Sequence, residues 1–332
     1  MNETRSSRGP ARLLSFATCL LALCSVPLAH AYTNPVITNT RDIDCTRFDG
    51  EFHLIEPAGG DVNGGYYKYR TSKDLVNWST VTQILQRPPG NEVWQGYLYK
   101  HTANSTYYLY YTNLNSATGK TIRVASAPAP TGPWTDQGQL ITSMGGIDPY
   151  LFKDSDATLW LYYKNDADGE KNIWVQKLSN PTTKTSGYNA KKLIQPQPGT
   201  WEDNGYVSAE GPCMRKYAGK YFLLYTGGPY GQFDYAIGYA YSTTPDGTFT
   251  KYSGNPIMSN VESPNVYSPG VPTVVQDGSA QDWVVYRQRE TAVRQSPRQV
   301  TIDKLNVSSA GSNVINGVAT SGTSLTSPVP LP

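Results

Sequence analysis

The strongest constraint on the fold is a unit that recurs five times along the chain. Each copy contains a short apolar segment rich in aromatic residues, and the copies follow one another at intervals of roughly 50 to 60 residues, at 52–55, 107–111, 159–163, 221–225 and 283–286. A shorter segment and a turn precede each copy, and strand-like segments follow most of them. No long stretch shows helical periodicity. Five four-stranded units in series are typical of a five-bladed β-propeller, an all-β fold with blades around a central channel.

The repeats also define the domain organisation. A β-sandwich is the structural alternative, but it does not account for the long shared period. No linker divides the chain, so residues 32–332 are expected to form a single propeller domain. The segment 34–37, before the first unit, is expected to supply the outer strand of the last blade and close the ring. Residues 306–332 are rich in Ser, Thr, Gly and Pro, which predicts a closing strand followed by a frayed tail.

Residues 1–31 have the composition of a secretory signal peptide. Three arginines come first, a mostly apolar run covers 13–28, and Ala29-His30-Ala31 has the small-x-small form of a cleavage site. The apolar run is short and interrupted for a membrane span, and a retained anchor is the alternative. The protein is therefore expected to be secreted, to the extracellular space or the periplasm.

Charge and composition restrict the partners. The chain has a formal net charge of +2, and removal of residues 1–31 leaves equal numbers of basic and acidic residues. This balance argues against a nucleic acid or an anionic membrane as partner. The 25 Tyr and 7 Trp residues suit an all-β core as well as a surface that contacts sugars, and composition does not separate the two.

Two cysteines, Cys45 and Cys213, remain after the signal peptide. An oxidising compartment permits one disulfide. Each cysteine lies three residues after a candidate catalytic carboxylate, which predicts that the two lie on different inner strands. Whether they are bonded stays open.

Three carboxylates mark the candidate site. Asp42, Asp148 and Glu210 stand at the heads of the first segments of units one, three and four. The first strand of each blade lines the channel of a propeller, so these side chains should meet at one end of it. Crowded carboxylates do not all ionise together, and their pKa values separate. Glycoside hydrolysis needs such a pair, one protonated and one ionised. The alternative is that all three are solvated residues at the rim of the sheets.

Four segments around these carboxylates and in the last unit carry a family resemblance. They are Arg-Asp-Ile-Asp-Cys-Thr-Arg-Phe-Asp-Gly at 41–50, Gly-Ile-Asp-Pro-Tyr-Leu-Phe at 146–152, Ala-Glu-Gly-Pro at 209–212 and Arg-Gln-Val-Thr-Ile-Asp at 298–303. With these segments the chain resembles glycoside hydrolase family 43, whose members are five-bladed propellers. The similarity covers nearly the whole mature chain, and Ala-Glu-Gly-Pro is its most specific part.

The resemblance implies a role for each carboxylate. Asp42 corresponds to the general base that activates water, Glu210 to the general acid and Asp148 to the residue that modulates the pKa of the acid. The family inverts anomeric configuration, for which the acid and base carboxyls stand roughly 6.5–9.5 Å apart.

The resemblance also implies the substrate class. It points to plant polysaccharide containing arabinose or xylose, with arabinan, arabinoxylan or xylan-derived oligosaccharides as partners of a monomeric enzyme. Exo-acting α-L-arabinofuranosidase is the first expectation, and β-xylosidase and endo-arabinanase are the alternatives. A non-catalytic carbohydrate-binding propeller is the alternative from another functional class.

Two positions depart from the family pattern. Ile43 replaces a proline, which makes Asp44 a second candidate for the base. Val271 stands where the family usually has a histidine near a bound calcium ion. Because valine offers no ligand atom, calcium is doubtful, no cofactor is expected, and activity is expected to survive chelation.

Other residues are candidates for substrate binding. Trp94 opens unit two and is expected either to stack on a sugar ring or to pack in the core. Tyr206, with Tyr230, lies in loops near Glu210. Arg294 and Arg298 in the last unit either donate to sugar hydroxyls or form salt bridges between blades.

Overall fold

A computed structural model describes residues 1, 31–60, 62–142, 145–167, 169, 171–229, 235–260, 265–294, 296–308, 315–319 and 325–331. Within these ranges the regular structure is entirely strand. None of it is a helix with the length and apolarity needed to cross a bilayer. The proposed signal peptide lies almost wholly outside the described residues, so its assignment stays a prediction.

The strands are numbered in chain order. They are β1 (Ala31–Tyr32), β2 (Ile37–Thr40), β3 (Asp44–Phe48), β4 (Glu51–Gly60), β5 (Gly64–Ser72), β6 (Thr82–Ile84), β7 (Asn91–His101), β8 (Thr106–Asn115), β9 (Gly119–Ala127), β10 (Thr135–Ile141), β11 (Gly146–Lys153), β12 (Leu159–Asn165), β13 (Asn172–Asn180), β14 (Thr183–Lys184), β15 (Lys191–Ile194), β16 (Ala209–Tyr217), β17 (Lys220–Gly227), β18 (Ala236–Ser242), β19 (Thr250–Lys251), β20 (Tyr267–Gln276), β21 (Asp282–Arg289), β22 (Arg298–Val307), β23 (Ile315–Ala319) and β24 (Leu325–Thr326).

Apart from β1 and β24, which pair with each other, the described strands form five antiparallel sheets, one for each predicted unit, and the five-bladed propeller is confirmed. The sheets are β3–β6, β7–β10, β11–β15, β16–β19, and β20–β22 with β2 and β23. The predicted aromatic segments are the second strands of the blades, β4, β8, β12, β17 and β21. The first strands, β3, β7, β11, β16 and β20, contact one another in sequence, and β20 returns to β3. This arrangement encloses the central channel.

The N-terminal strand closes the ring, as the sequence predicted. Strand β2 pairs with β22 of the last blade, with Ile37 opposite Val300 and Thr40 opposite Arg298. The strand begins at Ile37 rather than at residue 34, and the Val36 amide just before it donates to the Val300 carbonyl at 2.9 Å. Strand β23 also pairs with β22, so the predicted strand after residue 306 is present.

The described end of the chain is held in place, where the sequence predicted a frayed tail. Strand β24 pairs with β1. The amide of Leu331 donates to the Lys73 carbonyl at 2.8 Å, and Leu331 is buried. The amide of Val329 donates to Asp277 Oδ2 at 3.0 Å. These contacts fasten residues 325–331 to the first and last blades.

Buried tyrosines join neighbouring blades. The hydroxyl of Tyr110 in blade 2 donates to the Pro181 carbonyl in blade 3 at 2.7 Å. The hydroxyl of Tyr162 in blade 3 donates in the same way to the Pro245 carbonyl in blade 4 at 2.7 Å. A buried tyrosine needs a partner for its hydroxyl while its ring fills apolar space. The tyrosine-rich second strands therefore serve both the core and the blade interfaces.

The two cysteines lie on different inner strands, β3 and β16, as expected. Both Cys45 and Cys213 are buried and unbonded. The fold therefore depends on blade packing rather than on a disulfide between them.

Candidate active site

Irregular backbone at the heads of the inner strands positions the candidate residues. The registers of β7, β11, β16 and β20 each shift near the start of the strand. Asp148, Gly211 and Val271 have positive φ angles of 54°, 59° and 53° at these shifts, and each precedes a proline. A bulge of this kind re-aims a side chain and occurs often beside active sites. By this register Asp148 matches Gly211, so Glu210 lies one residue earlier in its strand than Asp148 does.

The heads of the strands surround a cavity of about 990 Å³. The cavity is lined by all seven of the site residues that the sequence predicted, namely Asp42, Trp94, Asp148, Tyr206, Glu210, Arg294 and Arg298. The three carboxylates therefore meet in one space, although they come from three different blades.

Asp42 is held by two arginines of the last blade. Its Oδ1 accepts hydrogen bonds from Arg287 Nε and Arg298 Nη1, both at 2.9 Å. Burial acts to raise the pKa of Asp42, but the charges and hydrogen bonds of Arg298 and Arg287 outweigh burial and lower it. The Asp42 carboxylate is therefore ionised at neutral pH and able to accept a proton.

Asp148 has the opposite environment. Its side chain is buried, and its Oδ2 accepts a hydrogen bond from the Gly211 amide at 3.2 Å. Burial, followed by the negative charge of Glu210, raises the pKa of Asp148 to about 8, against the opposing effect of Lys164. Asp148 therefore retains its proton at neutral pH, beside Glu210.

Glu210 is held on both carboxylate oxygens. Its Oε2 accepts a hydrogen bond from Lys164 Nζ at 2.5 Å, and its Oε1 accepts one from the Tyr235 hydroxyl. The side chain of Glu210 is 12% exposed. The Tyr235 ring in turn stacks under the guanidinium of Arg287, with 4.3 Å between the Arg287 Cζ and the ring centroid. Through Tyr235 and Arg287, the surroundings of Glu210 and Asp42 are in direct contact.

The chain as a whole matches a known family. A family model described as glycosyl hydrolases family 43 matches residues 32–312. The chain belongs to this family. Family 43 enzymes are inverting glycoside hydrolases. The chain that holds Asp42, Asp148 and Glu210 in these different surroundings is therefore an enzyme of the glycosidase class.

Curated relatives within the family have low identity to the chain. An extracellular exo-α-(1→5)-L-arabinofuranosidase of Streptomyces chartreusis is 27% identical over 84% of this chain and 90% of the relative. The protein of the same name from Streptomyces avermitilis is 25% identical over 82% of this chain, which spans 61% of the length of that relative. An arabinoxylan arabinofuranohydrolase of Bacillus subtilis is 29% identical over 56% of this chain and 41% of its own length.

Solved structures give the same family. The chain superimposes on a thermostable family-43 glycoside hydrolase with a TM-score of 0.74 and 27% identity, covering 91% of this chain and 99% of the other. The fold and the family therefore agree over almost the whole propeller.

The second family-43 base candidate, Asp44, occupies a different place from Asp42. Asp44 is 1% exposed, and the cavity wall formed by the described residues includes Asp42 but not Asp44. Its Oδ2 accepts a hydrogen bond from the Leu98 amide at 3.4 Å. Burial raises the pKa of Asp44 well above its ordinary value, which disfavours the ionised form that a general base needs.

The predicted binding residues have different surroundings. Trp94 is partly exposed at the cavity wall, with Lys120 Nζ 5.0 Å from its ring centroid. Arg294 is exposed on the wall. Arg298 lines the cavity too, and it forms a salt bridge with Asp42. The salt bridge between blades, which was one of the two alternatives for Arg298, is therefore present. Tyr230 lies outside the described residues.

The loop before β16 brings Tyr206 to the cavity. Glu202 in this loop is 1% exposed. It accepts hydrogen bonds from the Tyr225 hydroxyl and Lys251 Nζ, both at 2.6 Å. Tyr206 itself is 42% exposed, and its ring lies 4.2 Å from Lys171 Nζ. The anchored loop therefore presents an exposed aromatic ring at the mouth.

Sequence reasoning missed three residues that contact the carboxylates. Lys164 and Arg287 occupy equivalent places in the second strands of blades 3 and 5, opposite Ile147 and Gly270, and Tyr235 immediately precedes β18. The available signal was a basic residue directly after the apolar aromatic segment, Lys164 after Tyr163 and Arg287 after Tyr286. Each basic residue serves a carboxylate of the next blade.

The family's calcium ligand is not matched here. Val271 lines the cavity, and its amide donates to Thr226 Oγ1 at 2.8 Å, but its side chain has no ligand atom. Among the described residues no group of three or more His, Cys, Asp or Glu side chains is arranged to hold a metal ion. At this position the chain lacks the histidine that the family resemblance implies, so independence from calcium stays a prediction.

Proposed function

We propose that the chain is a secreted, monomeric, inverting glycoside hydrolase acting on plant polysaccharide that contains arabinose or xylose. The observation that carries this proposal is the meeting of Asp42, Asp148 and Glu210 in one cavity with opposite electrostatic surroundings. A single chain supplies all three groups, which supports a monomer. The names of two relatives, which include the word extracellular, support secretion.

In the proposed mechanism Asp42 is the general base. Arg287 and Arg298 keep its carboxylate ionised, so it can remove a proton from a water molecule that attacks the anomeric carbon. Both arginines donate to Oδ1, and Oδ2 is the oxygen proposed to face that water. Asp148 and Glu210 come from blades 3 and 4, and inversion requires that the acid act from the face of the sugar opposite to the base.

Glu210 is the proposed general acid, and Asp148 supports it. Asp148 keeps a proton near neutral pH because burial and the charge of Glu210 oppose its ionisation. Asp148 holds this proton in the unliganded site. When substrate is bound, this proton would pass from Asp148 to Glu210, and Glu210 would donate it to the glycosidic oxygen. At the same time Asp42 would take a proton from the attacking water, which completes cleavage of the bond.

The first assignment within this class is exo-acting α-L-arabinofuranosidase. The names of the two streptomycete relatives and of the Bacillus subtilis relative support arabinofuranosyl substrates. Trp94, Tyr206 and Arg294 supply aromatic faces and a planar donor along the wall, as sugar recognition requires.

A product profile tests the assignment. The purified protein is incubated with arabinan, arabinoxylan and xylan, and release of single arabinose units is the expected result. Release of xylose or of arabinose oligomers would instead establish β-xylosidase or endo-arabinanase activity. Proton NMR of the first product should show the inverted anomer.

Glu210→Gln tests the acid. Because amide nitrogen cannot deliver the proton, we expect a loss of about 10²–10⁴-fold in kcat on polysaccharide. The matched control is Glu51→Gln, at the opposite end of blade 1, which should keep wild-type activity. If the wild-type protein binds these polysaccharides and cleaves none of them, the non-catalytic sugar-binding alternative is correct.

A further inference from the structure

Lys164 is an unusual residue in the cavity wall because it is a lysine with almost no exposure. It is 3% exposed, and it comes from β12, whose other residues are mostly apolar. Its Nζ contacts Glu210 Oε2 at 2.5 Å and Asp166 Oδ1 at 3.0 Å. A buried ammonium group is costly unless it is paired on several sides. Here two carboxylates from different elements share it.

The pairing continues along the wall. Asp166 Oδ2 also accepts a hydrogen bond from Lys120, and Lys120 Nζ lies 5.0 Å from the ring centroid of Trp94. A continuous series of contacts therefore runs from the aromatic wall of blade 2, through Lys120, Asp166 and Lys164, to the proposed acid in blade 4.

We propose that Lys164 and Asp166 form a positioning pair for Glu210, in which Lys164 fixes the orientation of the proposed acid and Asp166 balances the lysine charge. This inference rests on the proposed function and adds two residues to it. Lys164 acts through Glu210 rather than on the sugar, so it is a positioning residue. Asp166 acts one contact further away.

The charges around Lys164 determine the expected pH effects. Burial lowers the pKa of Lys164, but the charges of Glu210, Asp166 and Asp148 outweigh burial and raise it, so the group stays protonated. Lys164 in turn lowers the pKa of Asp148. The charged or titratable groups that face the cluster from the surrounding elements are Asp42, Lys120, Asp148, Asp166, Glu210 and Tyr235.

The sign of each effect follows from this arrangement. Removing the lysine charge lets Asp148 keep its proton to higher pH, whereas removing the Asp166 charge makes Asp148 release it earlier. Lys164→Met should therefore move the alkaline limb of the kcat profile up by about one pH unit, and Asp166→Asn should move it down. Lys164→Arg keeps the charge and should leave the limb in place.

The control for a lost ion pair is Lys216→Met. Lys216 contacts the buried Asp154 at 2.6 Å. It lies near the end of β16, away from the head of the strand that lines the cavity, so its loss should not move the alkaline limb.

A second readout uses an aryl glycoside with dinitrophenolate as leaving group. This group departs without protonation. The fold-loss of kcat caused by Lys164→Met should therefore be about tenfold or more smaller on the dinitrophenyl glycoside than on polysaccharide.

Two outcomes overturn the inference while the proposed function stands. One is an active wild type whose alkaline limb is the same in Lys164→Met and Asp166→Asn. The other is an equal loss of kcat on polysaccharide and on the dinitrophenyl substrate, which would mean that Lys164 supports the fold or the sugar instead of the acid. A wild type without hydrolytic activity would contradict the proposed function itself.

Discussion

Neighbouring blades give the carboxylates of the cavity their different properties. Asp42 receives two arginines from the blade before it in the ring, whereas Asp148 receives a backbone amide and lies next to another carboxylate. The same chemical group is therefore ionised in one place and protonated in the other. Much of this difference comes from residues that point across a blade interface.

The raised pKa of Asp148 predicts a pH-dependent stability. A carboxyl whose pKa rises on folding, from 3.8 to about 8 here, binds more protons in the folded state than in the unfolded state between these values. Its stabilising contribution is complete below the lower value and is lost as pH rises through the higher one. Asp148→Asn removes the coupling between protonation of this carboxyl and folding. Between about pH 5 and about pH 8, the free energy of unfolding of the variant should therefore fall less than that of the wild type.

Chemical denaturation at several pH values measures this effect. Asp42→Asn is the control of opposite sign, because the pKa of Asp42 is lowered in the fold and its contribution is lost as pH falls. Parallel curves for Asp148→Asn and the wild type would show that Asp148 is ionised in the folded protein.

At the residue scale the sequence identified the acids but not their partners. Asp42, Asp148 and Glu210 were visible because they recur at the heads of repeated segments. Lys164 and Arg287 were not, because a basic residue at the end of a strand is usually solvated. Only the packing of one blade on the next shows that both of these side chains are buried.

Among the elements, the bulged heads of the inner strands matter most for the site. The bulge in β16 places Gly211 at a φ of 59°, next to Glu210. A Cβ at this position would meet Val271 Cα at 3.2 Å. Glycine therefore avoids the strain of a left-handed backbone, which Asp148 and Val271 carry at their own bulges, and leaves room for the close approach of blade 5.

Gly211→Ala should destabilise the protein and reduce catalysis. The backbone conformation costs a residue with a Cβ about 1 kcal/mol, and the contact with Val271 shifts the strand that carries Glu210. We expect a lowered Tm and a reduced kcat, measured by thermal unfolding and by initial rates.

Gly219→Ala separates these two contributions. Gly219 has a φ of 78° in the turn at the far end of the same blade, and a Cβ added there would have no neighbouring atom within 4 Å. This variant should lose similar stability and keep its kcat. An unchanged kcat in Gly211→Ala would show that the bulge does not position the acid.

The elements themselves were predictable because aromatic, apolar segments alternate with turns at a fixed period. The register was less accessible from sequence. The repeat pattern aligns Glu210 with Asp148, yet the bulges shift Glu210 by one residue relative to Asp148. Such shifts depend on local backbone conformation and on the following proline, which a repeat pattern does not encode.

For the whole molecule, the substitution of the family histidine by Val271 predicts independence from calcium. Activity of protein dialysed against EDTA should equal that of untreated protein, because the proposed chemistry uses carboxylates and Val271 supplies no ligand. Hydrolysis rates on the preferred polysaccharide, with and without added calcium, measure this. A large loss in EDTA that calcium reverses would contradict the prediction.

The closing strand has a consequence for how the protein would fail under stress. Asp42 lies shortly after β2, and the arginines that hold it belong to the last blade, so this carboxylate sits at the junction where the first and last blades meet. Partial opening there would carry Asp42 away from Asp148 and Glu210 while four blades remained folded. The molecule would then lose turnover first and its sheet structure only later.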